Sequence, residues 1–180
     1  MAHELIKRNT LYRGRVFDMS ISRFQSARSG EVDIELIHHN GGAGALPLFA
    51  DGTVALVRQW RYAINRYSLE IAAGRIEPGQ TPEQTAAREL EEELGYRART
   101  LQKLSEFVVA PGYCEERLWV YLATDLDPSA QNLDDDEEID VVRLPFADAL
   151  THVHSGEIDD AKSIITLMVA APVIEQLTRA

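Results

Sequence analysis

A single cysteine, Cys114, occurs in the 180 residues. That excludes an internal disulfide framework and a cysteine-rich zinc site. Basic residues are also scarce: 18 Lys and Arg stand against 29 Asp and Glu, for a formal net charge of -11. The balance argues against a nucleic-acid or membrane-surface binder, whose electrostatic footprint is basic. A polyanionic small molecule would need local arginines or metal ions to hold it. Long apolar runs are missing too. The opening MAHELIKRNTLYRGRV has no signal-type apolar segment, and no stretch reads as long enough to span a bilayer, so a cytoplasmic protein is expected. No internal repeat occurs. What is present suffices for one domain with a small appendage, because 45% of the residues are hydrophobic.

Period-two alternation marks the first forty residues as β. RVFDMSISRFQ and VDIELIHH alternate on either side of the turn SARSGE. The Gly-rich NGGAGA suggests a boundary, giving an N-terminal β domain over 1–42 and a second domain over 43–180. Asp51-Gly52 between two apolar runs predicts a hairpin, and SLEIAAG predicts one short strand ending at Gly74. TPEQTAARELEEELG predicts a helix, with Thr81 as N-cap, Pro82 at N1, Gln84 completing a capping box and Gly95 as the stop. Two strands then surround a Pro-Gly loop, an acidic stretch leads into the strand IDVVRLPF, and two helices follow. Pro172 is expected to end, kink or divide the second of these. Strands and helices interleave without a regular βαβ period, so the fold class is α/β with a mixed sheet flanked by helices.

The helix ending at Gly95 poses the chemical question. A helix C-terminus carries partial negative charge, yet Glu91, Glu92 and Glu93 crowd it. At about 100° per residue, Glu89, Glu92 and Glu93 share an arc of roughly 100° beside the apolar stripe of Ala86, Leu90 and Leu94, with Glu91 turned to solvent. Arg88 is the one cation near enough in sequence to offset them, by an i,i+4 pair with Glu92. A hard divalent cation would resolve the repulsion; a solvated charged face is the plainer alternative.

From Gly74 to Tyr96 the chain reads GRIEPGQTPEQTAARELEEELGY. This resembles the Nudix box, G-x5-E-x7-R-E-U-x-E-E-x-G-U, with Gly74, Arg88, Glu89, Leu90, Glu92, Glu93 and Gly95 in register and Gln80 where the first glutamate usually stands. The flanks ALVRQWRYAINRYSLEIAAGRIEPG, APGY and DDDEEIDVVRLPFADAL extend the resemblance to the ADP-ribose pyrophosphatase branch of the family.

The resemblance implies a Nudix α/β/α sandwich with an N-terminal antiparallel β extension used for homodimerisation. It implies hydrolysis of ADP-ribose to AMP and ribose 5-phosphate by metal-activated water, with Mg2+, or Mn2+, as cofactor. Glu89, Glu92, Glu93 and the Ala73 carbonyl would be metal ligands, and Arg88 would position the glutamates. The general base would be Glu137, with Asp135, Glu138 and Glu93 as alternatives. Arg61 would bind phosphate, and Gln59 and Glu70 the base or ribose. Pro111, which marks the branch, would contact substrate together with Gly112 and Glu116, and Phe17 or Arg23 would reach a partner's adenine pocket. Trp60 and Tyr62 could stack on adenine or fill the core. Another sugar nucleotide such as GDP-mannose, or a domain that binds ADP-ribose without turnover, are the competing expectations. Neither His38-His39, sent to opposite strand faces, nor Cys114 reads as a site.

Overall fold

The computed structural model describes residues 3–133 and 138–179. The chain divides into two compact units, Met1–Gly41 with Phe107–Leu118, and Gly42–Glu106 with Trp119–Ala180. The segment 107–118, which the sequence assigns to the second domain, clusters with the first.

In the N-terminal unit, β1 (Glu4–Arg13), β2 (Asp18–Ser26) and β3 (Gly30–His38) form an antiparallel sheet in that order. Strand β1 is exposed along its whole length. The 107–118 segment joins β3 through Ile37, whose N–H donates to the Tyr113 carbonyl at 2.7 Å and whose carbonyl accepts from the Glu115 N–H at 3.0 Å. A polar chain ties the unit together: Ser22 to Ser20 (2.9 Å), Ser20 to His38 Nε2 (2.8 Å) and His38 Nδ1 to Glu115 (2.7 Å). The order is that of a hydrolytic triad, yet Ser20 is fully buried, so the chain satisfies buried hydroxyls and offers no nucleophile to solvent.

The second unit holds two sheets. One runs β10 (Ile139–Pro145), β5 (Thr53–Arg61), β6 (Arg66–Glu70). The other runs β7 (Ala72–Arg75), β4 (Gly42–Pro47), β9 (Arg117–Pro128), β8 (Tyr96–Val108). Helix α1 (Pro82–Leu94) packs on β4 and β7, and α2 (Phe146–Ser155) contacts β10, β5 and α3 (Ala161–Arg179). This is the mixed α/β class that the sequence pattern leads to. The core is built largely from small side chains, including Ala43, Ala45, Ala55, Ala72, Ala86 and Ala123, with Leu90, Leu94 and Tyr121. Small residues let α1 lie close to its sheet.

The structure departs from the sequence reading at several places. The Gly-rich run, read there only as a boundary, leads directly into a strand. This strand is β4, buried throughout, and at Gly44 a Cβ would meet the Ala72 carbonyl oxygen and the Ala73 Cβ, both at 2.6 Å. Asp51-Gly52 turns the chain, but between two different sheets, with a lone bridge from Leu48 to Val54 in place of a hairpin. SLEIAAG forms two strands in two sheets, broken at Ile71. Helix α3 runs from Ala161 to Arg179 with Pro172 inside it, so the proline neither ends nor divides the helix. Its window Ala161–Thr178 has mean hydropathy 1.2 and meets the length and composition of a membrane span, contrary to the sequence reading. Leu167, Ala170 and Ile174 on that helix are buried within the fold.

Candidate active site

Helix α1 starts where the sequence places it. Thr81 Oγ1 accepts from the Gln84 N–H (3.2 Å), and the Thr81 N–H donates to Gln84 Oε1 (2.9 Å). The register so fixed turns Ala86, Leu90 and Leu94 inward and carries Glu89 and Glu93 in with them. These two carboxylates are 7% and 3% exposed. Burial of that kind is costly unless each charge is met.

The partners come from two directions. The Ala73 N–H donates to Glu93 Oε2 at 3.1 Å. Glu89 fills the space above Gly74, where a Cβ would stand 1.9 Å from its Oε1. The glycine is therefore required by close approach. Arg88 forks the two remaining pairs, with Nη2 2.7 Å from Glu89 Oε1 and Nη1 2.6 Å from Glu92 Oε2. Burial pulls the Arg88 pKa down, but the charges of Glu89, Glu92 and Glu77 outweigh it and hold the guanidinium above its ordinary value. Its Nε is buried with no hydrogen-bond partner. Glu91, expected in solvent, is half-buried, bound by Arg97 Nε (2.7 Å) and the Ser129 hydroxyl (2.8 Å).

A second cluster stands on the three-stranded sheet. The pairings Gln59 with Ser68 and Val57 with Glu70 place Gln59, Arg61, Ser68 and Glu70 on one face. Arg61 grips Glu70 with Nε (2.8 Å) and Nη2 (2.6 Å). Lys162 donates to the same Glu70 Oε2 and, at 3.0 Å, to Asp160. Burial alone would raise the Glu70 pKa. The Arg61 hydrogen bonds and the Lys162 charge prevail and lower it to about 2. Arg61 is held above its usual range by the Glu70 hydrogen bonds, aided by the charges of Glu70, Glu93 and Asp160. Beside this cluster lies a cavity of about 440 Å³ lined by Arg61, Arg66, Ser68, Glu70, Asp160 and Lys162. Gln59 is 9% exposed, and its Oε1 has no hydrogen-bond partner.

Pro111 and Gly112 are in an exposed turn of the N-terminal unit, closed by the Tyr113 and Cys114 N–H groups on the Ala110 carbonyl. Glu116, in that unit, is 3.7 Å from His39 Nδ1. Arg23 is taken up by Asp33 (2.7 Å) and Glu31 (3.4 Å), and Phe17 stacks obliquely on Tyr12. Trp60 meets Tyr67 edge-on, while Tyr62 is 86% exposed, so Tyr62 is no core residue. Glu137 and Asp135 lie outside the described residues; Glu138 is exposed just before β10. Lys162 and Asp160 are not among the expected site residues. Their one sequence signal is Asp160 three residues before Ser163, an N-cap pattern that the structure realises with a 3.0 Å bond from the Ser163 N–H.

The donor chemistry fits a hard divalent cation: only oxygens, most of them ionised, on a buried helix face. Among the described residues no three His, Cys, Asp or Glu side chains are gathered closely enough to hold an ion as they stand. Arg88 occupies two of the carboxylates instead.

Acids buried on a helix face and bridged by an arginine, with a second arginine in the field of Glu93, are a donor set suited to a hard cation beside an anion-binding group. The model of the NUDIX domain matches residues 38–167, and the chain belongs to the Nudix family. It is 34% identical over 165 residues to the ADP-ribose pyrophosphatase of Bacillus subtilis (strain 168), covering 91% of this chain and 89% of that protein. It is 35% identical over 149 residues to the GDP-mannose pyrophosphatase of Yersinia pestis (strain Pestoides F), covering 76% and 74%. A crystal structure of an ADP compounds hydrolase superposes with a TM-score of 0.86 at 22% identity, covering 100% of this chain and 98% of the other, which shows the shared fold.

Proposed function

We propose that this protein hydrolyses the pyrophosphate of ADP-ribose, giving AMP and ribose 5-phosphate. The observation that carries the reading is the buried pair Glu89 and Glu93 on the face of α1 that meets Ala73 and Gly74, with Arg61 within Coulomb reach of Glu93. The similarity to an ADP-ribose pyrophosphatase along most of both chains supports the substrate.

Magnesium, or manganese as a second hard ion, would be held by Glu89, Glu92, Glu93 and the Ala73 carbonyl, and when bound it neutralises phosphate oxygens and lowers the pKa of water. Arg88 keeps two of these mutually repelling acids, Glu89 and Glu92, in place. Arg61 offers a planar cation to a diphosphate oxygen, and the orphaned Gln59 Oε1 accepts from a nucleoside hydroxyl or amine. Water oxygen joins one phosphorus, the bridging P–O bond breaks, and a carboxylate takes the water proton. Glu137, outside the described residues, is the proposed base, and Glu93 the alternative. The N-terminal unit exposes Leu5, Ile6, Leu11, Tyr12, Val16 and Phe17, an apolar surface that supports a homodimer. The working location is the cytoplasm.

Purified protein is incubated with magnesium and either ADP-ribose or GDP-mannose, and products are identified. AMP from ADP-ribose is the expected outcome, abolished in Glu92→Gln and Glu93→Gln. GMP from GDP-mannose alone would favour the activity named for the Yersinia relative. Tight ADP-ribose binding without product would make the protein a sensor.

A further inference from the structure

The Lys162 ammonium is 13% exposed in its side chain, and nothing in the proposed chemistry requires it. It lies at the start of α3, whose first turn is bolted to the strand junction that carries Glu70. The Ile71 N–H donates to Ser163 Oγ at 2.9 Å, and Ser163 Oγ donates to Asp160 at 2.6 Å. The Ser163 N–H also reaches Asp160. Lys162 therefore meets Glu70 from a fixed base. It shares Glu70 Oε2 with Arg61 Nη2, so one carboxylate oxygen takes two cations.

The charge count gives this sharing a purpose. Arg61 is in contact with Glu70 and lies in the field of Glu93 and Asp160 as well, three acids against its single charge. Alone, it would be spent on its own neighbours and would have little positive potential left for a diphosphate. Lys162 meets Glu70 and Asp160 together. The Arg61 fork uses Nε and Nη2, which leaves Nη1 outside the Glu70 pair. We infer that Lys162 is a positioning residue for substrate binding: through Glu70 it holds the Arg61 fork in plane and keeps the arginine's charge available to the diphosphate. The inference rests on the hydrolase reading above and extends it to a residue that does not itself touch the reacting atoms.

The test is a cycle of Lys162→Met and Glu70→Gln, with circular dichroism and melting temperature checked first. Initial rates on ADP-ribose with magnesium give kcat and KM, and titration calorimetry gives Kd for the same ligand. Lys162→Met is expected to raise KM and Kd about tenfold while kcat stays within about threefold, the pattern of lost ground-state binding. In the Glu70→Gln background the same change is expected to shift KM by less than about twofold, because the relay is already cut. An unchanged KM, a loss confined to kcat, or full additivity in the cycle would overturn the relay. Should Lys162→Met fail to fold, Asp160→Asn decides. It leaves Lys162 wholly to Glu70, so KM is expected to fall about threefold, and an unchanged or higher KM overturns the inference. A wild type with no turnover of any nucleotide sugar would overturn the proposed activity instead, and the Kd comparison would still decide the role of Lys162.

Discussion

Gly74→Ala separates the chemistry of the site from its stability. The glycine has no unusual φ, so alanine introduces no backbone strain there. The added Cβ falls 1.9 Å from Glu89 Oε1, 2.2 Å from Cδ and 2.7 Å from Oε2. To reach even a tight contact the carboxylate must retreat by about 1 Å or more. Its head is the far end of a flexible side chain, so the fold can yield. The retreat stretches the 2.7 Å pair with Arg88, in which Glu89 is buried; losing such a pair outright costs about 3–5 kcal/mol, and stretching it costs a fraction of that. Alanine recovers about 0.4–1 kcal/mol by restricting the unfolded chain. The two partly cancel, and the melting temperature should fall by no more than about 4 °C. Catalysis does not cancel. A ligand displaced by about 1 Å is expected to lower kcat/KM on ADP-ribose about a hundredfold. Initial rates over a magnesium series and a calorimetric melt of the same preparation read both quantities. A variant within about threefold of wild type would show that the placement of Glu89 over Gly74 does not matter, and the cation site would have to be sought elsewhere.

Gln59→Leu removes an acceptor that has no partner in the protein; stability should hold or rise by up to about 1 kcal/mol in a thermal melt. If Gln59 contacts the nucleoside, KM should rise about tenfold, and an unchanged KM removes it from the site. Gln80→Glu should leave kcat within about threefold. Gln80 works as a brace, accepting from Thr85 Oγ1 at 2.9 Å and donating to Glu77 at 3.3 Å. A gain near a hundredfold, roughly 2.7 kcal/mol, would instead mean that the missing charge is needed. Glu70 is depressed from 4.5 to about 2 in the fold. Its contribution to stability is complete above the unfolded value and is lost as pH falls from about 4.5 towards 2. Over that window wild type should lose roughly 3 kcal/mol more than Glu70→Gln, measured by urea melts at stepped pH. Parallel curves would refute the depressed value.

Local signals were legible wherever a few adjacent residues decide the outcome. The Thr81 to Gly95 helix carries cap, proline and stop in its own sequence, and every one is used. The grouping of Glu89, Glu92 and Glu93 beside the apolar stripe followed from helical period alone; that Glu89 and Glu93 are buried did not. Several of the misreadings concern partners distant in sequence. The glycines of NGGAGA read as a boundary because glycine punctuates isolated segments. Gly42 and Gly44 nevertheless lie in β4, where β7 comes too close to Gly44 for a side chain, which no local window reports. SLEIAAG looked continuous because nothing within it shows that its halves pair with different strands. Glu70 was correctly expected to need a partner, and Arg61 was at hand, but Lys162 lies 92 residues away and is joined only by the fold.

The same distinction explains how acids are tolerated at the end of α1. The last turn contains no basic residue, so the helix itself supplies nothing against its dipole. Relief comes from the chain after β9. The Ser129 N–H donates to the Gly95 carbonyl at 2.7 Å, and the Asn132 N–H to the Glu92 carbonyl at 3.0 Å. The Gln131 amide donates to the Glu93 carbonyl at 2.6 Å. Three carbonyls that a helix end would leave to water are thus capped by one short segment. Arg97 and Ser129 take Glu91, Arg88 takes Glu89 and Glu92, and the Ala73 N–H takes Glu93. Each of these acids has a partner within the protein, so the fold should hold its shape without metal. A divalent ion then competes with Arg88 for two carboxylates and has no unfolded helix to rescue. Metal removal should therefore abolish turnover while leaving the α1 amides protected from hydrogen exchange, whereas melting of α1 on chelation would show that the arginine network is insufficient.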